Sequence, residues 1–424
     1  MKICFLLHQG NMYSGGQGIY LHYLSRELTR MGHEVHAICG PPYPELAPEV
    51  QLHRLKTFSF WGLMDDYEEY VYRRHPLLFF HPVNFYEFAT TRVTIAALLN
   101  MFSLRAYHKL NQLERDGPFD LIHDNQVLGY GTWLMRARGR PVVANVHHPL
   151  AIDRRNELLQ ARSLGKLVSR TLWFPWVMQE WVARRIDKVI TGSESSAASV
   201  VDSFHLAREQ IRVIYDGVDP DLFRPMEEVE REPHNILFVG RPDDKNKGFR
   251  YLLQALRLLD GVLPYQLTVV QPPGSRGAVE LVEQLEFKGR LSYLEGLSTE
   301  QLVRTYARAQ LLVSPSLYEG FGLPAAEALA CATPVVATTA GALREIVEDG
   351  VSGLLVPPGE VEPLSQAIRT LLEDPQRCRA MGEAGTRRVR EQFSWRRTAE
   401  ETVALYREVL SCHRRSRAAL EAIG

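Results

Sequence analysis

Two glutamates in the second half of the chain have the type and spacing to bind a ligand rich in hydroxyl groups. Glu319 and Glu327 are separated by seven residues in the run SPSLYEGFGLPAAEALA. Glu319 lies on a glycine-flanked loop after an apolar run, and Pro324 marks the first turn of the helix that carries Glu327. A helix N-terminus offers free N–H groups, and two carboxylates accept hydrogen bonds from several hydroxyls. The pattern favours a site for a sugar or a ribose over a helix start with two solvated acids.

Two cations follow an earlier apolar run in the same half. Arg241 and Lys247 lie in VGRPDDKNKG, directly after a predicted strand. Open α/β sheets bind ligands beyond the carboxyl ends of their strands, and an arginine fork with a lysine point charge suits a diphosphate. Asp243 and Asp244 are alternative ion-pair partners, so a plain surface loop remains the other interpretation.

Glycines and histidines mark corresponding positions in the first half. Gly15 and Gly16 follow the first apolar run, where backbone N–H groups can approach a phosphate or a sugar, although the dinucleotide spacing G-x-G-x-x-G is absent. His147 and His148 follow the run VVANV, where an imidazole could donate to a sugar hydroxyl or act near a departing phosphate. A tight turn and structural histidines are the alternatives. No His-x-x-x-His or acidic cluster indicates a metal site.

Short apolar runs that alternate with helical patterns position these residues. KICFLL, then IYLHYLSRELTRMG, then HEVHAIC predict a strand, a helix and a second strand. NILFVG, FRYLLQALRLL and YQLTVV repeat that order in the second half. The repetition predicts two Rossmann-like, doubly wound α/β domains.

Changes in composition give the expected domain boundaries. We predict a first domain over residues 1–220, a second over 221–395, and a C-terminal helix over 396–424 that packs back on the first domain. Residues 55–110 are interpreted as a largely helical insertion, because Phe58 to Phe88 holds 11 of the 40 aromatic residues and alternates poorly. A local core and an acceptor- or membrane-facing surface are both open for this insertion.

Charge and cysteine usage exclude several classes of protein. The 49 basic and 50 acidic residues give a net charge of −1, which lacks the basic excess of a nucleic-acid-binding protein. Five widely spaced cysteines without Cys-x-x-Cys fit a reducing cytoplasm and disfavour disulfides or a zinc site. No run approaches the roughly 18 apolar residues of a membrane span.

Taken in order, these runs resemble the retaining glycosyltransferases of family 4, the glycogen-synthase-like glycosyl transferases group 1, which have the GT-B fold. The resemblance extends over almost the whole chain. It is carried by SGGQGIYLHYLSREL, ANVHH, KVITGSESSAASVV, IRVIYDGVDPDLFRP, ILFVGRPDDKNKG, SPSLYEGFGLPAAEALACATPVV and DGVSGLLVPPGEVEPLSQAI.

The resemblance implies a role for each matched residue. Arg241 and Lys247 would hold the donor diphosphate, and Glu327 would bind the ribose. Glu319 would bind the transferred sugar, helped by backbone groups of Gly320, Phe321, Gly322 and Leu323. His147 would lie beside the sugar, while Gly15 and Gly16 would approach the phosphates or the sugar. Of these, Glu319, His147, Arg241 and Lys247 would take part in catalysis.

The implied fold places two Rossmann-like domains across a central cleft. The implied activity moves a hexose-type sugar from a nucleotide diphosphate sugar, a co-substrate rather than a cofactor, to a hydroxyl of a glycan or lipid-linked saccharide, without a metal. Such a reaction belongs to cell-envelope or polysaccharide synthesis. A nucleotide-sugar epimerase or phosphorylase of the same architecture and an inactive sugar-binding regulator are the alternatives.

The location that these features predict is the cytoplasm or the inner face of the cytoplasmic membrane. The segment LLQARSLGKLVSRTLWFPWVMQEWVARRIDK mixes Trp173, Phe174, Trp176 and Trp181 with basic residues, as peripheral membrane helices do. Large aromatic residues at helical spacing are also typical of a core, so both interpretations are open.

Overall fold

The computed structural model describes residues 1–12, 16–58, 76–91, 94–147, 176–275 and 277–421. The chain divides into two compact units. The first unit comprises Met1–Ile214 with Ala399–Gly424, and the second comprises Tyr215–Thr398. Within the described ranges, the helices are all too short or too polar to cross a membrane.

The first unit is built on a sheet of seven strands that pair in parallel. The strand order is β3-β2-β1-β4-β5-β6-β7. The strands are β1 (Lys2–Leu7), β2 (Glu34–Cys39), β3 (Gln51–Arg54), β4 (Leu121–Asn125), β5 (Val142–Asn145), β6 (Lys188–Thr191) and β7 (Ile211–Val213). The central strands are buried along nearly their whole length, since helices cover both faces of a parallel sheet.

The described residues of Met1–Ile214 form six α-helices, and amphipathic ones such as α1 pack their apolar face on this sheet. The six are α1 (Gln17–Arg30), α2 (Pro82–Thr91), α3 (Ile95–Leu113), α4 (Tyr130–Ala137), α5 (Trp176–Ala183) and α6 (Glu194–Phe204). In α1, for example, Leu21, Leu24 and Leu28 repeat at helical spacing and are fully buried.

The described part of the aromatic insertion is helical. A short 3₁₀ helix over Pro76–Phe80 precedes α2 and α3. Glu87 of α2 is 1% exposed and pairs with Arg105 of α3 at 2.6 Å, which ties the two helices together. Leu77 and Phe80 are 81% and 78% exposed. Residues 59–75, which hold much of the aromatic run, lie outside the described residues.

The second unit repeats the architecture with six parallel strands. Their order is β10-β9-β8-β11-β12-β13. They are β8 (Asn235–Val239), β9 (Gln266–Gln271), β10 (Arg290–Glu295), β11 (Leu311–Ser314), β12 (Val335–Thr338) and β13 (Gly353–Val356).

Seven helices of the described chain accompany this sheet, and one more follows it. The seven are α7 (Phe249–Arg257), α8 (Gly277–Gln284), α9 (Thr299–Arg308), α10 (Leu323–Ala330), α11 (Leu343–Ile346), α12 (Val361–Glu373) and α13 (Pro375–Gln392). The last, α14 (Trp395–Glu421), continues into the first unit, where Tyr406 bonds to His123 of β4 at 2.5 Å.

In each sheet the strand that comes first in the chain lies next to the fourth: β1 pairs with β4, and β8 pairs with β11. The second and third strands extend the sheet on the other side of the first strand. This is the strand order of a doubly wound sheet, and it confirms the predicted α/β fold with two Rossmann-like domains.

Candidate donor-sugar site

Each sheet has one topological switch point, where the loops leaving two adjacent strands run in opposite directions. In the first unit it lies between β1 and β4, and in the second between β8 and β11. Ligands of doubly wound sheets bind in the crevice at the carboxyl ends of these strands. Nearly all the residues singled out in the sequence follow β1 or β5 in the first unit and β8 or β11 in the second, so each unit carries candidate site residues at its own strand ends.

At the switch point of the second unit, the loops after β8 and β11 join through an ion pair. The Lys247 Nζ lies 2.8 and 3.1 Å from the two carboxylate oxygens of Glu319. The Ser316 hydroxyl donates to the same carboxylate at 3.2 Å. Burial by itself lowers the pKa of Lys247, but the charge and hydrogen bond of Glu319 outweigh this and hold the pKa above its usual value. Lys247 therefore stays charged.

Two glycines let these loops approach so closely. Gly248, which follows Lys247, has φ of +67°, and a Cβ there would lie 2.0 Å from the carbonyl oxygen of Pro315. Gly341, with φ of +58°, would place a Cβ 2.0 Å from the carbonyl oxygen of Glu319. Any side chain at either position would push the loops apart. The ion pair thus depends on a glycine next to Lys247 and on Gly341, which lies well beyond Glu319 in the sequence.

Glu327 lies within α10, one turn from the N-terminus of the helix. Tyr306 of α9 is fully buried and donates its hydroxyl to the Glu327 Oε2 at 2.8 Å. Burial raises the pKa of Glu327 to about 7, although the bond from Tyr306 opposes this rise. Glu327 is therefore oriented by one donor and ionised above about pH 7, with acceptor capacity left for a ligand.

Arg241 has a different partner. Its side chain is 54% exposed and pairs with Asp243 at 2.9 Å. The Asp244 carboxylate accepts from the backbone N–H of Asn246 at 2.9 Å and caps the 3₁₀ turn Lys245–Lys247. Of the two cations predicted to act together, Lys247 pairs with Glu319 and Arg241 pairs with Asp243.

The run from Gly320 to Leu323 forms the entrance to α10. Gly322 adopts φ of +100° immediately before the helix. The Phe321 side chain is 6% exposed and packs edge-on against Phe393, with ring centroids 5.9 Å apart. Phe321 can therefore offer a ligand only its backbone. At the start of α10, Pro324 has no N–H and Ala325 donates its N–H to the Gly322 carbonyl at 3.0 Å, so Leu323 carries the N–H that this helix start can offer to an anion or a hydroxyl.

In the first unit, His147 lies just beyond β5 within a neutral polar cluster. Its Nε2 is 2.7 Å from the Asn125 Oδ1 and 3.2 Å from the Asn145 Nδ2. Its backbone N–H donates to the Gln126 Oε1 at 2.8 Å. Burial lowers the pKa of His147 to about 4, so the imidazole is neutral at physiological pH.

Gly16 directly precedes α1 as its N-cap residue and has φ of +71°, a conformation that favours glycine. Its neighbour Gly15 and the second histidine, His148, lie outside the described residues, as do Trp173 and Phe174 of the aromatic–basic segment. Trp181 of that segment contacts Trp133 edge-on at 5.1 Å between ring centroids and adjoins the core of the first unit.

Sequence reasoning missed the residues that support these groups. They are Ser316, Tyr306, Asn125, Gln126 and Asn145. Polar residues at the carboxyl ends of buried strands, such as the DNQ that closes LIHDNQ, were a usable signal. Among the residues that the structure describes, no three His, Cys, Asp or Glu side chains are grouped to hold a metal ion.

The chain matches known protein families over most of its length. Residues 14–222 match the family described as Glycosyltransferase Family 4, and residues 221–388 match Glycosyl transferases group 1. The chain is 37% identical over 415 residues to the MMP alpha-(1->4)-mannosyltransferase of Mycolicibacterium hassiacum, covering 97% of this chain and 99% of that protein. It is 27% identical to the D-inositol 3-phosphate glycosyltransferase of Mycolicibacterium paratuberculosis, covering 96% and 88% of the two chains.

Solved structures share the fold. Sucrose-phosphate synthase from Thermosynechococcus elongatus superimposes with a TM-score of 0.74 at 24% identity, over 97% of this chain and 99% of that one. Anabaena HepE in complex with UDP-glucose superimposes with a TM-score of 0.65 at 20% identity, over 97% and 100%. With two doubly wound sheets and a full-length relative at 37% identity, the chain belongs to glycosyltransferase family 4 and has the GT-B fold.

Proposed function

We propose that this protein transfers mannose from a nucleotide diphosphate sugar to a hydroxyl of a saccharide or lipid-linked acceptor, with retention of anomeric configuration and without a metal. The observation that carries the proposal is the Lys247–Glu319 ion pair at the switch point between β8 and β11. A cation, a carboxylate and a helix N-terminus meet there. They match the three parts of such a donor, namely diphosphate, sugar hydroxyls and ribose.

Each residue then has one task. Lys247 neutralises the diphosphate, and Arg241 adds a second cation when it exchanges Asp243 for a phosphate oxygen. Glu319 accepts hydrogen bonds from hydroxyls of the transferred sugar. Glu327, already oriented by Tyr306, accepts from the ribose.

The reaction breaks the bond between the anomeric carbon and the diphosphate oxygen, whose electron pair stays on the leaving group. The acceptor oxygen forms the new bond to the anomeric carbon on the same face. Its proton passes to the departing phosphate oxygen. Because the leaving diphosphate gains charge as it departs, Lys247, Arg241 and the N-terminus of α10 stabilise the transition state more than the bound donor.

The choice of mannose and of an α-(1→4) linkage rests on the relative that is 37% identical over nearly the whole of both chains. Transfer from an α-linked nucleotide sugar to give an α-linked product is retention. That relative and the D-inositol 3-phosphate glycosyltransferases also support a polyhydroxyl acceptor in glycan synthesis.

The test is an NMR-monitored reaction of nucleotide diphosphate mannose with a mannose oligosaccharide, in excess chelator. We expect a new α-linked residue at the 4-hydroxyl, and no product with Lys247→Met. A β-linked product would overturn retention. Conversion of the donor to an isomer in the absence of acceptor would favour an epimerase, and activity restored only by magnesium or manganese would overturn metal independence.

We also propose that the protein works in the cytoplasm and touches the inner face of the membrane through the insertion. Leu77, Phe80, Phe85 and Tyr86 are all more than half exposed on neighbouring turns, and such surfaces partition into lipid interfaces. We expect the protein to float with anionic vesicles at low salt, and Phe80→Ser to reduce flotation at unchanged melting temperature. Protein that remains wholly soluble at low salt would contradict this contact.

A further inference from the structure

The cluster around His147 fixes more than the position of the ring. Asn125 closes β4 and lies opposite Asn145 of β5 in the sheet register. The Asn125 Nδ2 donates to the backbone carbonyl of Gln17 at 3.1 Å. A carbonyl oxygen only accepts, so this bond determines which end of the Asn125 amide is nitrogen. The amide oxygen is the end that lies 2.7 Å from the His147 Nε2.

An amide oxygen has no hydrogen to donate, so the short contact requires the hydrogen to be on the His147 Nε2. A neutral imidazole carries one ring hydrogen. The Nδ1 is therefore left as a bare lone pair, and it accepts no hydrogen bond from any residue that the structure describes. Toward a ligand, the Nδ1 can therefore act only as an acceptor.

The neighbouring Asn145 is consistent with this assignment once its amide is rotated. As placed, its Nδ2 faces the Nε2 at 3.2 Å while its buried Oδ1 meets no donor among the described side chains and backbone. Rotation by half a turn brings the Oδ1 to the Nε2–H and removes the clash of two donors. The low pKa of His147, about 4, keeps the ring in the neutral form to which this reasoning applies.

The turn that presents Asn125 is strained and firmly held. Gln126 and Leu128 adopt positive φ of 63° and 47°, a conformation that is strained for a residue with a side chain. The buried Asp124 carboxylate holds the turn by accepting from the backbone N–H of Val127 at 2.6 Å, from that of Leu128 at 3.0 Å and from the Thr132 hydroxyl at 2.5 Å. Strained backbone that is held in place by several hydrogen bonds is typical of segments that form a binding or catalytic site.

We propose that Asn125 is a positioning residue that locks His147 in the Nε2–H tautomer, so that the Nδ1 accepts a hydrogen bond from a saccharide hydroxyl bound by the first unit. This inference deepens the proposed function and rests on it. It assigns the imidazole the role of an acceptor for a neutral hydroxyl, and not that of an acid toward the leaving phosphate.

The tautomer is measurable without substrate. In protein labelled with ¹⁵N-histidine, the two ring nitrogens have distinct shifts, and the signals of His147 are those lost in His147→Gln. We expect a protonated Nε2 and an unprotonated Nδ1 in the wild type. Asn125→Leu should mix the two tautomers, and Asn125→Asp should raise the pKa of His147 by at least one unit, because a carboxylate stabilises the imidazolium. The control Asn111→Asp makes the same change beside Arg140 and should leave His147 unaltered.

Activity provides the second readout. We expect Asn125→Leu to lower kcat about tenfold, roughly 1.4 kcal/mol, and His147→Gln to lower it at least as much. A protonated Nδ1 in the wild type would overturn the inference whatever the variants do. So would full transfer activity of His147→Gln, which would leave the proposed function intact. Absence of transfer from every nucleotide sugar would overturn the proposed function and, with it, the role of Nδ1, while the tautomer would still be decided by the spectrum.

Discussion

The two switch points are built on the same strand order, yet the side chains placed there differ in charge. After β8 and β11, a lysine faces a carboxylate at 2.8 Å, and a second carboxylate is oriented by a tyrosine. After β4 and β5, a neutral histidine is surrounded by asparagine and glutamine amides.

This difference corresponds to what each unit is proposed to bind. A diphosphate carries charge that grows as the sugar departs, so it needs cations. A sugar hydroxyl is neutral, so it can be bound by a carboxylate such as Glu319 or, without a desolvated charge, by a neutral acceptor such as the His147 Nδ1. The Lys247–Glu319 pair also neutralises the charged site before any donor arrives, so neither buried charge is left alone.

Removing the cation of the Lys247–Glu319 ion pair should have the largest effect on donor binding and turnover. We expect Lys247→Met to weaken donor binding at least tenfold, about 1.4 kcal/mol, and to lower kcat/KM about a hundredfold, about 2.7 kcal/mol. Calorimetric titration and steady-state kinetics measure the two quantities. Lys245→Met is the matched control, since Lys245 is an exposed lysine of the same turn. Equal donor affinity in both variants would refute the assignment.

The strand order could be predicted from the sequence because buried parallel strands and amphipathic helices leave strong periodic signals. KICFLL and NILFVG were both interpreted correctly, as β1 and β8. The motif around Glu319 also identified its loop and the helix that follows it.

Pairings between distant segments could not be predicted in this way. Lys247 and Glu319 are 72 residues apart, and their contact exists because β8 lies beside β11 and because Gly248 and Gly341 allow close approach. Arg241 and Lys247 are basic residues of the same loop, and the sequence gives no reason to expect different partners for them. Arg241 nevertheless pairs with Asp243, because of a local turn that the sequence pattern does not specify.

The buried carboxylate Glu327 should give the charged site a pH dependence that the neutral site lacks. Burial raises its pKa to about 7, and only the ionised form accepts hydrogen bonds at both oxygens. Affinity for the nucleoside diphosphate should therefore be present above pH 7 and fall as the pH drops through 7. We expect the affinity ratio of wild type to Glu327→Gln to fall up to about tenfold between pH 8 and pH 6. The phosphate of the ligand titrates equally in both measurements, so it does not affect this ratio. A ratio that does not change with pH would contradict the proposed binding of the nucleotide by Glu327.

Two buried aspartates extend the comparison to stability. Asp124 accepts three hydrogen bonds, whereas the Asp216 Oδ1 has no partner among the described residues. Burial raises the pKa of Asp216 to about 7. Between the unfolded pKa near 4 and this value, the folded state binds more protons, so Asp216 destabilises the protein increasingly as the pH rises.

Asp216→Asn should therefore raise the melting temperature at pH 8 by about 2–4 °C for each kcal/mol regained, with little change at pH 4. Asp124→Asn should instead destabilise by about 1–3 kcal/mol, because its amide nitrogen would face N–H donors. Thermal scans at both pH values provide the measurement. A gain for Asp216→Asn that does not depend on pH would show that the carboxylate is not the cause.

The central claim is that Glu319 and Glu327 bind different parts of one donor, and calorimetric titration of two ligands tests it most directly. The nucleoside diphosphate alone and the nucleotide sugar are each titrated into the wild type, Glu319→Gln and Glu327→Gln. We predict that Glu327→Gln weakens both ligands about tenfold, whereas Glu319→Gln leaves the nucleoside diphosphate within about twofold and weakens only the nucleotide sugar. Equal loss of nucleoside diphosphate affinity in the two variants would contradict the account.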